Sequence, residues 1–159
     1  MLKRSVDISL AGLLLIVSLP VLAVAAILIK LDSRGPVFFR QVRVGRRFQR
    51  FHILKLRTMH ISSGGPVYTL PEDPRVTRVG RRLRWLKVDE LPQLWNVLCG
   101  EMSVVGPRPV VPELAYEFHE AYATLLEARP GLTDRQLSSI AMRLGCWRRS
   151  ATRCSITKR

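Results

Sequence analysis

Two adjacent carboxylates, Asp89 and Glu90, are the residues of this chain whose types and spacing best suit chemistry. They begin an apolar run with helical spacing, made of Leu91, Leu94, Trp95 and Leu98. Pro92 falls in the first turn of that run, where proline is tolerated, so the pattern predicts a helix that starts at Asp89. Two interpretations of the acidic pair stay open here. It is either an N-cap with a first-turn acid, both favourable near the positive end of a helix dipole, or a catalytic pair.

A second chemical element is the arginine that follows this helix. After Gly100, a typical C-terminal stop, the chain reads MSVVGPRP over residues 102–109. Pro107 and Pro109 restrict the backbone on either side of Arg108, which predicts a stiff extended loop. Such a loop would present the arginine to an anion.

The block over residues 89–109, DELPQLWNVLCGEMSVVGPRP, resembles the bacterial sugar transferase family. These are the monotopic phosphoglycosyl transferases that start glycan assembly on polyprenyl phosphate. The resemblance runs in colinear order over about residues 2–134. Further motifs that carry it are GPVFFRQ at 35–41, KLRTM at 55–59 and RPGLT at 129–133.

The resemblance implies a role for each site residue. Asp89 would be the nucleophile that attacks the sugar-bearing phosphate of a UDP-sugar, releases UMP and passes the phosphosugar to undecaprenyl phosphate. Glu90 would assist as metal helper or proton acceptor, and Mg²⁺ would bind through Asp89 and the diphosphate. Four cations are expected to hold phosphates: Lys55, Arg84, Arg108 and Arg129. Positive charge is needed because the reaction joins two anions, and a covalent intermediate avoids bringing both together at once.

The same resemblance implies the setting of the reaction. It would be the first step of exopolysaccharide, O-antigen or glycoprotein glycan synthesis, on the cytoplasmic face of the bacterial inner membrane. The expected partners are the UDP-sugar donor, the polyprenyl phosphate acceptor and membrane lipid, with homo-oligomerisation left open and no nucleic acid.

The N-terminal segment has the composition of a membrane helix. Residues 8–29 carry no charge and would form about 33 Å of helix, enough for a hydrocarbon core. Pro20 removes one backbone hydrogen bond inside it and predicts a kink. Ser18 is a candidate donor to the carbonyl that this kink frees.

Basic residues flank this segment on both sides, namely Lys3, Arg4, Lys30 and Arg34. The positive-inside tendency then places both ends in the cytoplasm, which a straight span cannot satisfy. A helix that enters one leaflet, bends and returns does satisfy it, and the resemblance implies such a re-entrant anchor over residues 1–31. An ordinary kinked transmembrane helix and a cleaved signal peptide are the alternatives.

Residues 32–134 are expected to form the catalytic domain. Residues 37–42 and 48–56 predict a β-hairpin around a basic loop, and residues 76–86 and 110–128 predict amphipathic helices. Trp85 suits the first of these helices to the headgroup plane, with a core tryptophan as the alternative. The fold class is therefore α+β, mostly helical, in a monotopic membrane protein. The hairpin arginines are expected to contact solvent or lipid headgroups; they are Arg43, Arg46, Arg47 and Arg50.

Three further residues receive structural interpretations from the sequence. Lys55 and Arg57 lie at a strand end and, without the motif, would be exposed cations. Asp7 lies within helical reach of Lys3 and Arg4, which predicts a local salt bridge.

Charge and cysteine content set the remaining bounds. Twenty-six Lys and Arg against twelve Asp and Glu give a net charge of +14 over 159 residues, which implies a partner rich in negative charge: nucleic acid, an anionic membrane or a phosphate-bearing substrate. Cys99, Cys146 and Cys154 show no CxxC spacing, so neither a zinc site nor a disulfide framework is indicated.

Residues 135–159 depart from the resemblance. This segment has no acidic residue and no consistent amphipathic pattern, so we expect an atypical basic tail, disordered and derived from a frame change in the coding DNA. Such a tail would leave the activity of the chain in question. The alternatives for function are therefore an inactive membrane-anchored paralogue and a membrane-tethered nucleic-acid-binding protein, although no nucleic-acid-binding motif is present.

Overall fold

The computed structural model describes residues 2–60 and 73–133. Its helices and strands, in chain order, are α1 (Leu2–Asp32), β1 (Phe38–Val44), β2 (Arg50–Leu56), α2 (Arg78–Trp85), α3 (Gln93–Cys99), β3 (Ser103–Val105), α4 (Pro112–Glu117), α5 (His119–Ala123) and β4 (Gly131–Thr133). Short 3-10 turns lie at Arg46–Phe48, Val88–Glu90 and Leu125–Glu127. The mixture of helices and short strands agrees with the expected α+β class. The tail expected over 135–159 lies outside the described residues.

Two small sheets hold the strands. β1 and β2 form the expected antiparallel hairpin, from Phe38 opposite Leu56 to Val44 opposite Arg50. β3 and β4 pair in parallel over three residues each. Neither strand was predicted from the sequence, because strands of three residues are too short to show an alternating pattern. A Cβ atom on Gly131 would collide with the backbone of Gly106, so glycine permits this close approach.

α1 packs along the rest of the molecule through one stripe of its surface. Asp7, Ala11, Ser18, Ala25 and Ile29 are buried on that stripe. Ala11 contributes to a core cluster with α3 and β2, and Ala25 and Ile29 contribute to a second with Leu56 and Leu83. Apolar side chains on its other faces stay exposed; they include Leu13, Ile16, Val17, Val24 and Ile27. By length and composition this is one helix that could cross a membrane.

Both ends of α1 are hydrogen-bonded to the folded domain. At its start, Arg4 donates to the carbonyls of Val97 at 2.7 Å and Leu98 at 3.0 Å. At its end, the Arg57 guanidinium donates to the carbonyls of Ser33 and Arg34, each at 2.7 Å. The Val97 and Leu98 carbonyls belong to the last turn of α3, which a helix cannot satisfy itself, and the Ser33 and Arg34 carbonyls lie just after α1. Arg57 is therefore a buried structural residue, and its interpretation as an exposed cation was wrong.

Asp7 also has a different role from the one expected. Its Oδ2 accepts a hydrogen bond from the Ser103 hydroxyl at 2.7 Å, and its Oδ1 accepts from the Val104 amide at 3.3 Å. Local spacing favoured a salt bridge to Lys3 or Arg4. Those two cations instead donate to backbone carbonyls of Val105, Val97 and Leu98, which leaves Asp7 to join α1 to β3.

α1 remains helical through Pro20, so the predicted kink and re-entrant path stay predictions. The Ser18 hydroxyl donates to the carbonyl of Leu15 at 2.9 Å. Pro20 frees the next carbonyl along the chain, that of Ile16, because its nitrogen carries no hydrogen. The side-chain donor expected near the proline is thus present, one residue away from the expected acceptor.

Two helix boundaries differ from the prediction. The acidic pair lies in the 3-10 turn at Val88–Glu90, and α3 begins only at Gln93, with Pro92 as its N-cap residue and no side-chain cap. The N-cap interpretation of Asp89 was therefore wrong. The long helix expected over 110–128 breaks at Phe118, whose φ of −115° and ψ of 45° are not helical.

Candidate active site

The site begins where β2 ends, because that strand delivers Lys55 beside the 3-10 turn that carries Glu90. The Lys55 Nζ atom lies 2.9 Å from Glu90 Oε1. Arg108, from the loop after β3, reaches the same oxygen through Nη2 at 2.8 Å. Three segments far apart in sequence therefore meet at one carboxylate, and the loop that the two prolines stiffen does present its arginine to an anion.

The two neighbouring carboxylates have opposite electrostatic environments. Burial, and then the negative charge of Glu90, raise the pKa of Asp89, although Lys55 and Arg84 act against this. Burial would also raise the pKa of Glu90, but Lys55, Arg108 and Lys87 together hold it below its usual value. Glu90 is thus kept ionised, while Asp89 is the stronger base of the pair.

Asp89 is buried with one oxygen unused. Its relative exposure is 8%, and among the described residues its Oδ1 atom has no hydrogen-bond partner. A buried carboxylate oxygen in this state costs free energy unless something binds it. An oxygen in this state is suited to bind a ligand atom or a metal ion.

Arg84 lies beside the pair rather than bonded to it. Its Nε donates to the Thr58 hydroxyl at 2.8 Å, and its charge lowers the pKa of both Asp89 and Asp73. Asp73 in turn binds Arg75, and this hydrogen bonding is the main reason that its pKa falls to about 2. Thr58 belongs to the KLRTM motif, and its hydroxyl accepts this bond from Arg84.

A narrow cleft of about 50 Å³ opens beside Lys55, Glu90 and Arg108. Gln93 lines it too, is 3% exposed, and among the described residues its Nε2 atom has no hydrogen-bond partner. A buried donor that faces a cleft is suited to an acceptor atom of a ligand. Gln93 was not among the predicted site residues, and its one signal in the sequence is its position in the helical turn after the acidic pair.

Arg129 is not brought into this cleft. It lines a second and larger cleft with the hairpin arginines, on another part of the surface. Of the six residues predicted for chemistry, the structure therefore gathers Lys55, Asp89, Glu90 and Arg108, and places Arg84 close to them.

Residues 1–146 of the chain match the model of the bacterial sugar transferase family. The chain belongs to the bacterial sugar transferase family. One similar protein is the UDP-glucose:undecaprenyl-phosphate glucose-1-phosphate transferase of Caulobacter vibrioides, 50% identical over 137 residues, which cover 82% of this chain and 51% of that protein.

Two further relatives extend the comparison. The transferase of the same description from Escherichia coli K12 is 44% identical over 142 residues, covering 84% of this chain and 30% of that protein. The exopolysaccharide production protein PSS of Rhizobium leguminosarum is 43% identical over 145 residues, covering 83% of this chain and 70% of that protein. The first two relatives that the chain matches are longer than the chain, which spans 26% of the length of one and 51% of the length of the other.

The residues of this family member are compatible with the expected Mg²⁺. Within the described residues no group of three or more His, Cys, Asp or Glu side chains could hold a metal by itself. Mg²⁺ usually keeps several waters and binds one or two carboxylates together with substrate phosphates. The unpartnered Oδ1 of Asp89 next to Glu90 is a donor set of that kind.

Proposed function

We propose that this protein transfers a sugar-1-phosphate from a UDP-sugar to undecaprenyl phosphate, with Asp89 as the covalent nucleophile. The observation that carries the proposal is the buried, unpartnered Oδ1 of Asp89 beside two cations that bond to its neighbour. Family membership supports the reaction class, and the relatives from Caulobacter and Escherichia coli are named for the same transfer of glucose-1-phosphate.

The first step forms one bond and breaks one. An Asp89 oxygen attacks the phosphorus that bears the sugar, and the bond from that phosphorus to the oxygen of UMP breaks, so UMP leaves with the electron pair. In the second step an oxygen of the lipid phosphate attacks the same phosphorus, which regenerates the Asp89 carboxylate and yields a lipid diphosphosugar. Bound Mg²⁺ would supply charge neutralisation at the phosphates.

The other side chains position the donor. Lys55 and Arg108 are already held in place by Glu90. They would therefore bind phosphate oxygens with little further loss of rotamer freedom when the donor binds. Gln93 offers a neutral donor in the same cleft. Arg84 holds positive charge next to Asp89, where the phosphorus would be attacked.

We also propose that α1 attaches the enzyme to one leaflet, with both ends on the cytoplasmic side. A helix of 31 residues is about 46 Å long, yet Arg4 near its start and Ser33 just after its end are bonded to the same folded domain. A straight span would separate those ends across the bilayer. Trp85 on the neighbouring helix is 82% exposed, as expected for a residue at the headgroup level.

The transfer is tested with radiolabelled UDP-glucose and undecaprenyl phosphate, by measuring label in the lipid fraction and free UMP. We expect wild type to produce both and Asp89→Asn to produce neither, with a phosphosugar adduct on the peptide that contains Asp89 when acceptor is withheld. Glu113→Gln, an exposed acid on α4, is the matched control and keeps activity. Label transfer by Asp89→Asn at the wild-type rate would refute the role of the carboxylate.

The two alternatives give different results in the same assay. An inactive membrane-anchored paralogue releases no UMP with any donor, and a nucleic-acid-binding protein shows salt-dependent binding without turnover. The attachment of α1 is tested separately with single cysteines at Leu2 and Leu31 in a background without native cysteines. Both cysteines should react with a membrane-impermeant thiol reagent only after the membrane is permeabilised, so that the reagent reaches the cytoplasmic side.

A further inference from the structure

A second basic cleft, of about 300 Å³, lies apart from the candidate active site. Four arginines line it, Arg46, Arg47, Arg50 and Arg129, against a single acid, Glu101. The Glu101 carboxylate already accepts a hydrogen bond from Asn96 at 2.6 Å. The cleft therefore concentrates like charges that one anion would offset.

Two of the four guanidinium groups are held in fixed positions. The Nε of Arg46 donates to the carbonyl of Glu127 at 2.9 Å. The Nε of Arg50 donates to the Tyr116 hydroxyl at 3.1 Å, and its guanidinium lies over the Tyr116 ring, 5.2 Å from the centroid. Both bonds use Nε, so the terminal nitrogens are the groups that a ligand would meet. Guanidinium nitrogens match phosphate oxygens in geometry.

The other two arginines have no such support. Within the part of the chain that the structure describes, the side chains of Arg47 and Arg129 have no hydrogen-bond or ion-pair partner. Two hydrogen-bonded arginines and two unpartnered arginines thus line the same cleft. Together they could bind a multiply charged anion.

The turn that carries Arg47 is strained. Arg47 and Phe48 both adopt the left-handed conformation, with φ of 55° and 59°. For residues other than glycine this costs about 1–2 kcal/mol each, and such strain is found mostly at ligand-binding and functional segments. The Gly45 amide donates to the Gln49 carbonyl at 2.9 Å and closes the turn, and the ring of Phe48 stacks on His119 at 4.2 Å.

This cleft and the candidate active site are separate. They share no lining residue, and β2 contributes Arg50 to one and Lys55 to the other. Five residues of strand separate those two positions by about 16 Å.

We propose that this cleft binds a phosphate group, as a monoester or diester, at a site distinct from the Asp89–Glu90 pair. A lipid headgroup is the favoured source of that phosphate. Gly100, which lines the cleft, lies against the guanidinium of Arg4 at the start of α1, where Leu2 and Val6 are exposed apolar residues. A phosphate at the lipid-water boundary would therefore lie next to the cleft. This inference does not depend on the transfer reaction.

The test measures binding to the purified full chain in neutral detergent. One arm uses dioctanoyl phosphatidylglycerol and the other uses inorganic phosphate. Arg47→Gln/Arg129→Gln should weaken binding about 25-fold at low salt, since each basic residue near an anionic lipid contributes about fivefold. Arg47→Lys/Arg129→Lys keeps the charges and should retain most of the affinity, which controls for a folding defect.

One double variant removes the same charge elsewhere. Arg81→Gln/Arg82→Gln alters the exposed face of α2 and should change affinity less than about twofold. Binding of the lipid alone identifies a headgroup site, and binding of inorganic phosphate as well identifies a site for free phosphate groups. The proposal is overturned if neither probe binds, or if the α2 variant weakens binding as much as the cleft variant does.

Discussion

Asp89→Asn and Glu90→Gln should change stability in opposite directions, although both remove one negative charge from adjacent residues. Asp89 is buried with an unpartnered oxygen, a state that costs about 1–3 kcal/mol. Asparagine has the same shape but no charge, so we expect a gain of about 1 kcal/mol. In a chain of this size that raises the apparent unfolding midpoint by about 2–4 °C.

Glu90→Gln removes a carboxylate that two cations share. The Glu90 and Lys55 side chains are 17% and 21% exposed, whereas the Arg108 side chain is 55% exposed. Breaking a fully buried ion pair costs about 3–5 kcal/mol and an exposed one less than about 1 kcal/mol. A loss of about 2 kcal/mol is therefore expected, which lowers the midpoint by about 4–8 °C.

The pH dependence follows from the two pKa shifts. The folded pKa of Asp89 is raised, so its ionisation destabilises the fold as pH rises through that value, and the advantage of asparagine vanishes at acid pH. The folded pKa of Glu90 is lowered, so its contribution is complete above its unfolded pKa and is lost as pH falls through the folded value. The difference in unfolding midpoint between each variant and wild type should therefore become smaller as pH falls from 7.5 towards 4.

The assay is tryptophan fluorescence during heating, in one neutral detergent, with Glu113→Gln as the exposed control. The decisive comparison is the sign of the two shifts at pH 7.5. If Asp89→Asn lowers the midpoint as Glu90→Gln does, Asp89 is not an unpartnered buried charge and the assignment of its free oxygen as the reactive position loses its basis. A gain for Asp89→Asn that persists unchanged at pH 4 would contradict the raised pKa.

Three further substitutions test the fold and the cleft. Gly131→Ala should lower the unfolding midpoint by several degrees because its Cβ meets the backbone of Gly106, just after β3. Gly12→Ala, whose Cβ meets nothing within 4 Å, should raise the midpoint slightly, and equal shifts would contradict the close approach. Asp7→Leu should cost about 1–3 kcal/mol by removing the acceptor of the Val104 amide and the shorter of the two acceptors of the Ser103 hydroxyl, and an unchanged midpoint would refute the α1–β3 connection. Gln93→Leu should leave the midpoint unchanged or higher while it raises KM for the UDP-sugar, and an unchanged KM would mean that Gln93 does not contact the donor.

Local patterns predicted the parts of the fold that depend on periodicity. The apolar run correctly predicted α1, the alternation around Phe51 and Ile53 predicted β2, and the basic amphipathic stretch predicted α2. They failed where long-range contacts decide the backbone. The acidic pair looked like a helix start, but Lys87 in the left-handed conformation and Pro92 at the N-cap enclose a separate 3-10 turn.

The site could be predicted only as a set of residues, since the sequence contains no measure of which cation reaches which acid. The motifs predicted Lys55, Arg108 and Arg129 alike as phosphate ligands. The structure separates them because β2 carries Lys55 to Glu90, whereas the chain before β4 leaves Arg129 beside the hairpin turn. Buried hydrogen bonds, such as that of Asp7 to Ser103 across 96 positions, have no local signal at all.

The distribution of charge within the acidic pair explains how one carboxylate can serve as a nucleophile in a basic site. If the two cations bonded to Asp89, they would lower its basicity and occupy the oxygen that must attack phosphorus. Both instead bond to Oε1 of Glu90, and the charge of Glu90 helps to raise the pKa of Asp89. Positive charge is thus held within reach of the incoming phosphates, while the attacking oxygen stays free and basic. In the proposed mechanism Glu90 acts through the placement of charge, and we expect its replacement by glutamine to release Lys55 and Arg108 towards Asp89 and to slow the first step of the transfer.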